Sequence, residues 1–466
     1  MWQTSFSFFS RVLVLGLVLG IPGFAFPDGL RAGFATADLT PPLGVEMGGF
    51  GYNLGRTGDA VHDPILARAA VFELNGKRMA MVGCDLGGIS LEVTEKVRRE
   101  VEKETGIPGQ RVMVGTTHSH SAPVVANWIG VGKPDAKYLS EVHLRIASAV
   151  IAASRKLQPV TVSYGQAAVE GVARNREYKD GPVDPYVRVL KFTGPSSELA
   201  GFIANYSVHS VVMSERTRLF TGDLTGVSVN MVMNDHPGAI GIFLQGSCGD
   251  INPVYAHMPQ DESLQKLEML ANLLAGDIRV ALEKASAVEV HAIHMDARRI
   301  ALPLEPPDKA MVMDRMQTAE GLLKYPDLPE RLRRELEYRR DSARAVLERF
   351  HRPPLTEKVS EVQVGLLGDV VIAANPGETF LVFGQKTAEL IKHYKVIVTG
   401  YTNDYVGYIP SADRYVVDEQ KGLSYPAYLT PWINGEFRFR EDVGDVLVAE
   451  MVKLAGDVTR AGRSSN

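Results

Sequence analysis

The sequence predicts an α/β protein: a mixed, twisted β-sheet core with helices packed on it and a helical hairpin inserted late in the chain. Three observations carry that expectation. From Leu30 onward short apolar, β-rich runs alternate with amphipathic helical stretches. Most polar motifs sit where an apolar run ends, which is where ligands gather in open α/β sheets. Between Pro306 and Pro354 the composition switches to a highly charged, helix-forming stretch.

Taken in chain order, the N-terminus MWQTSFSFFSRVLVLGLVLGIPGFAFPDGL has one positive charge, Arg11, then an apolar run from Val12 to Ile21 and small residues around Gly23 to Ala25. That is the pattern of a secretory signal peptide, placed at residues 1–27. The run is short for a membrane span of about 20 apolar residues, so cleavage and a secreted or periplasmic location are expected, with no transmembrane span in what remains. One domain then covers residues 28–466. LARAAVFELNG and RMAMVGCDL read as strands, SLEVTEKVRREVEKETG as a helix ended by Gly106, QRVMVGTTHSHS as a buried strand and AKYLSEVHLRIASAVIAASRKL as a long helix. PVTVSYGQAAVEGVA, YVRVLKF, GFIANYSVHS and IGIFLQGSCGD continue as strands. The charged segment, broken at Pro326 and Pro329, is a helical hairpin inserted at about 306–354, with a solvated outer face. Strand character returns in EVQVGLLGDVVIAANPGETF, and DVGDVLVAEMVKLAGDVTRA forms a closing helix. No internal repeat is visible.

With 466 residues, 45% hydrophobic and 23% charged, the chain has ample material for a core. A net charge of −5 and the lack of any Lys/Arg cluster interleaved with aromatics exclude nucleic acid as a partner. Export permits a disulfide between the two cysteines, Cys84 and Cys248, but buried free thiols are the simpler reading.

The stretch VMVGTTHSHSAP sets His118 and His120 two residues apart after an apolar run. In an extended chain residues i and i+2 point to one side, so the pair is able to converge on a metal. His209 ends GFIANYSVH, Glu378 sits in NPGE, and Tyr408 follows a further apolar run in YTNDYVGYIP. Two imidazoles, a carboxylate and a phenolate suit zinc with an open position. Each also has a plain structural reading: core histidine, turn acceptor, strand aromatic.

Eight motifs in order, AGFATADLTPPLG, THSHSAP, NREY, NYSVH, FTGDLTG, LQGSCGDINP, NPGETF and NDYVGYIPSADRY, resemble the neutral/alkaline ceramidase family over roughly Ala32 to Tyr428. The resemblance implies a zinc ion held by His118, His209, Glu378 and Tyr408. It also implies that His120 lies beside the metal, contacting substrate or the metal-bound water, and that Arg176 of RNRE lies near the site. Asp85 and Asp223, which end apolar runs, are candidates to orient the ligand imidazoles, while Asp250 fixes a turn. The glycine-rich MGGFGYNLG is a loop on the rim of the site.

Three departures from the family pattern stand out. Where ceramidases carry the serine of GDxSPN, this chain reads GDINPV, with Asn252 in its place. A carboxamide can donate to a developing oxyanion but cannot serve as a nucleophile. The family's YEG segment is replaced by YVVDEQKGLSY, and the chain ends too soon for the C-terminal β-sandwich of full-length ceramidases. The expected function is therefore an exported zinc-dependent hydrolase that cleaves an amide bond, in a ceramide-like N-acyl lipid or another small amide or ester, with zinc-bound hydroxide. The alternative is a non-catalytic exported binding protein that kept the metal-site scaffold.

Overall fold

The computed structural model describes residues 1, 29–51, 55–417 and 422–463; residues 2–27 of the expected signal peptide lie outside them. Three five-stranded sheets form the core. The first runs, in spatial order, Val112–Thr116, Lys77–Cys84, Leu66–Leu74, Arg31–Asp38 and Gln158–Pro159. The second runs Ile240–Gln245, Leu199–Tyr206, Tyr186–Thr193, Thr161–Ala168 and Ser286–Val288. The third runs Lys395–Thr399, Val370–Ala374, Glu357–Leu367, Ile293–Glu305 and Arg438–Phe439. The mixed α/β expectation holds.

All three sheets share one plan. The two strands at one edge are parallel and every other pairing is antiparallel. A parallel pair cannot be closed by a tight turn and needs a crossover. Here the crossovers contain the helices Leu91–Thr105, Asp223–Asp235 and Leu381–Leu390. A longer helix follows each unit, Ala136–Ser154, Gln260–Glu283 and Val443–Arg463, and packs on its sheet. The expectation of no repeat is thus corrected at the level of topology: the plan recurs three times although the sequences do not.

Why the strands read as near-continuous apolar runs follows from this packing. Along Leu66–Leu74, Ala67, Ala69 and Val71 face the helices of the first unit. Ala70, Phe72 and Leu74 face a central core that the three sheets share with Phe192, Ile203, Leu244, Met295 and Ile372. Both faces are buried, so the period-2 alternation is apolar against apolar. The charged hairpin forms helices Lys309–Leu322 and Glu330–Arg349. It docks beside the third unit, with Tyr338 donating to Leu429 O at 3.3 Å and Arg349 bound to Glu436 at 2.6 Å. Some expected strands are shorter. PVTVSYGQAAVEGVA divides into Thr161–Ala168 and Ala173–Asn175, and GFIANYSVHS stops at Tyr206. Cys84 and Cys248 are free and buried. No helix among the described residues is long and apolar enough to cross a membrane.

Candidate metal centre

The parallel edges of the three sheets deliver the site. His118 lies two residues past Thr116, His209 three past Tyr206, Glu378 four past Ala374, and Tyr408 in the segment after Thr399. The edges are knitted together: Asn205 Nδ2 donates to Leu244 O and to Val398 O, Gln245 Nε2 donates to Thr117 O, and Gly115 bridges Thr402.

His118 is not on an extended strand. It has φ +59, a left-handed conformation costly for a side chain with a Cβ and characteristic of constrained sites. The expected i, i+2 argument therefore gives way to a turn, which still brings His120 Nε2 to 3.1 Å from His118 Nε2. One ring nitrogen from each of His118, His120 and His209 lies within 4.8 Å of the others, a group able to hold a metal ion. Glu378 Oε2 is 3.2 Å from His209 Nε2 and 3.4 Å from His118 Nε2.

The imidazoles are oriented by backbone carbonyls. His118 Nδ1 bonds Gly87 O at 2.5 Å and His209 Nδ1 bonds Ile251 O at 3.0 Å, which leaves both Nε2 lone pairs facing inward. Asp85 and Asp223 do not take that role. Asp85 pairs with Arg68 at 2.6 Å, and Asp223 accepts from the backbone N–H groups of Val212, Met213 and Leu224. Asp250 accepts from Asn175 Nδ2 and from Leu381 N at the start of a helix, so it ties GDINP to the segment carrying Glu378. There Gly249 packs so close that a Cβ would stand 2.3 Å from Glu378 O.

Arg176 Nη2 donates to Gly249 O and to Tyr408 Oη, both at 2.6 Å, and Nη1 reaches Asn252 Oδ1 at 3.5 Å. Tyr408 thus meets Arg176, while its backbone pairs with Glu378 in a short parallel bridge. Two tyrosines that the sequence reading quoted but did not single out also reach the carboxylate. The Tyr405 hydroxyl donates to Glu378 Oε1, and the Tyr401 hydroxyl lies 3.4 Å from Oε2. Their spacing behind a strand, YTNDYVGY, was the available signal.

Burial sets the electrostatics. Desolvation, then the Arg176 charge, brings His209 down to about 4, and desolvation with His118 and His209 holds His120 well below the usual imidazole range. Burial opposes ionisation of Glu378, yet the neighbouring His118 and His209 hold its carboxyl well below the usual range. Burial pushes the Tyr401, Tyr405 and Tyr408 hydroxyls well up.

His118, His120, Glu378 and Tyr408 line a cavity of about 370 Å³, walled by Phe50, Trp128, Tyr405, Tyr425 and Ile433, with Asn252 and His257 also lining it. Gly49, Phe50 and Gly51 of the glycine-rich motif line it too, while residues 52–54 lie outside the described set. Phe50 meets His120 and His257 edge-on, with ring centroids 5.0 and 5.3 Å away. From the YVVDEQKGLSY segment, Tyr425 reaches the wall. Neither Ser121 nor Ser247 lines the cavity.

The model of the N-terminal region of neutral/alkaline non-lysosomal ceramidases matches residues 30–265. The chain belongs to that family. It is 30% identical over 263 residues to the neutral ceramidase of Pseudomonas aeruginosa, an alignment that covers 51% of this chain and 39% of that protein. The match thus spans about two-fifths of the curated relative's length. The fold resembles the crystal structure of neutral ceramidase from Pseudomonas aeruginosa with a TM-score of 0.69 at 20% identity, covering 92% of this chain and 74% of that one. A ceramidase complexed with C2 gives 0.71 at 20% identity, with 93% and 76% covered. That family is one of ceramidase-like hydrolases.

Proposed function

We propose that this protein is an exported zinc-dependent hydrolase that cleaves an amide bond in an N-acyl lipid or another small amide. The observation that carries the reading is the convergence of the inward-facing Nε2 atoms of His118 and His209 on Glu378 Oε2, beneath an aromatic-walled cavity that His118 and Glu378 line. The donor set fits zinc. Each imidazole has its other nitrogen tied to a carbonyl, and Tyr408 stands on the strand beside Glu378 as the proposed fourth ligand. When bound, zinc supplies a Lewis acid for the scissile carbonyl and acidifies a coordinated water.

The chain's own groups take the remaining roles. His120 is held neutral by burial, so it is ready to accept the proton of the attacking water and return it to the leaving amine. Arg176, fixed by Gly249 O and Tyr408, keeps Asn252 Oδ1 engaged and so leaves Asn252 Nδ2 to donate to the developing oxyanion. With Asn252 at the serine position and neither nearby serine in the cavity, water and not a seryl group is the nucleophile. That difference favours an amide other than ceramide as the preferred substrate.

Metal analysis and an amide panel that includes a fluorogenic ceramide test the reading. About one equivalent of zinc, lost in His118→Ala and His209→Ala together with hydrolysis, is expected. Less than about a tenth of an equivalent in the wild type would sink the proposal, and zinc retention without turnover on any amide or ester would favour the binding-protein alternative.

A further inference from the structure

We propose that Tyr405 is a positioning residue that divides the two oxygens of Glu378, leaving only Oε2 to the histidine nitrogens. The inference rests on the metal reading above. Oε1 accepts from the Tyr405 hydroxyl, whereas Oε2 faces His209 Nε2 at 3.2 Å, His118 Nε2 at 3.4 Å and the Tyr401 hydroxyl at 3.4 Å. A carboxylate whose second oxygen is occupied by a phenol binds a cation through one oxygen, the mode that keeps a tetrahedral centre from becoming crowded.

Tyr405 has little freedom to release that oxygen. Its ring lies 5.0 Å from Trp128 and nearly parallel to His118, at 6.1 Å and 14°. A Cβ on Gly88 would press to 3.0 Å from Tyr405 Cδ2. The backbone on its N-terminal side is pinned to elements of two different sheets. Asn403 Oδ1 accepts from Val114 N, and Asn403 Nδ2 donates to Glu361 and Gln363. Asp404 accepts from Leu91 N at the start of a helix and from Ser360 Oγ. Such anchoring preserves the aim of a hydroxyl within the tolerance a metal site needs.

The test compares wild type, His118→Ala, Tyr401→Phe and Tyr405→Phe in the full chain. Zinc affinity is read by chelator competition, coordination by the visible absorption of the cobalt-loaded protein, and folding by the thermal midpoint of the metal-free protein. Tyr405→Phe keeps the ring, so the metal-free midpoint is expected to hold. Zinc affinity falls about 10- to 100-fold, and the cobalt bands weaken as the freed Oε1 raises the coordination number. Tyr401→Phe, whose hydroxyl meets Glu378 only at Oε2 and at 3.4 Å, loses less. Should Tyr405→Phe fail to fold, Gly88→Ala displaces the same hydroxyl and is expected to weaken zinc in the same direction. Unchanged affinity and cobalt spectrum in Tyr405→Phe, or in Gly88→Ala where that variant stands in, overturn the positioning role while the metal reading stands. A wild type that binds no zinc, or a His118→Ala that still does, overturns the metal reading itself.

Discussion

Asp85→Asn separates a structural ion pair from a metal-site role. Arg68 and Asp85 are 1% and 0% exposed and meet at 2.6 Å, with Asn230 accepting from the other Arg68 nitrogen and Leu66 N donating to the same carboxylate oxygen. Burial raises the Asp85 carboxyl despite the guanidinium beside it, so much of the Coulomb gain is already spent on desolvation. Neutralising Asp85 leaves the Arg68 charge in the core. With charge centres about 4 Å apart and an effective dielectric of about 20, the lost attraction is ~4 kcal/mol, within the ~3–5 kcal/mol observed when one partner of a buried pair is removed. The double variant Arg68→Met/Asp85→Leu removes both charges and is expected to be neutral or stabilising by up to ~4 kcal/mol. Urea unfolding of the wild type, Asp85→Asn and the double variant gives the energies, and metal analysis of the folded protein gives the site. A loss below ~1 kcal/mol for Asp85→Asn would refute the ion-pair argument. A folded Asp85→Asn that no longer holds metal would return Asp85 to the ligand-orienting role the sequence suggested.

Two further outcomes follow from local geometry. Gly49→Ala puts a Cβ 2.4 Å from His120 Cγ at φ +103. It is expected to cost ~1–3 kcal/mol of stability and to depress hydrolysis more than zinc content, read by parallel unfolding and rate measurements. A full rate in the variant would show that His120 has no part in the reaction. Asp277, raised to about 6 by desolvation and then by Glu170, is favoured in its protonated form by folding. Stability is therefore complete below the unfolded pKa near 3.8 and falls as pH rises toward 6. Asp277→Asn should gain at pH 8, by ~1 kcal/mol or less because the carboxyl is part-exposed, and gain nothing at pH 3.5. An equal gain at both values would remove the titration as its cause.

How much of this was legible in the sequence depends on whether the signal was local. The strand and helix alternation was readable because buried strands and amphipathic helices differ in period within a few residues. His118, His209 and Glu378, whose side chains the structure brings together, could be singled out as candidates because each closes an apolar run, and the ordered motifs tied them together. Three things were not local. His118, at φ +59, is held against Gly87 O and the Tyr401 ring, both remote in sequence. The partner of Asp85 is an arginine on the neighbouring antiparallel strand, whose inward face sequence alone does not reveal. The hydroxyl on Glu378 Oε1 belongs to Tyr405, one of three tyrosines in a segment where only Tyr408 had a motif to mark it.

The threefold plan accounts for why the site needs such scattered residues. In a parallel pair both strands point the same way, so the loops after them emerge side by side. In each sheet one loop of that pair carries a histidine or carboxylate of the proposed ligand set and the other carries the group that orients it, the latter loop in the third sheet also carrying Tyr408. His118 follows Val112–Thr116, and Gly87 O follows its parallel partner Lys77–Cys84. His209 follows Leu199–Tyr206, and Ile251 O follows Ile240–Gln245. Glu378 follows Val370–Ala374, and Tyr401 and Tyr405 follow Lys395–Thr399. The first two supports are carbonyls because an imidazole has an N–H to give; the third is a pair of hydroxyls because a carboxylate can only accept. On this account Tyr405 stands to Glu378 as Gly87 stands to His118, and the crossover helix that makes each pair parallel is what holds ligand and support in register.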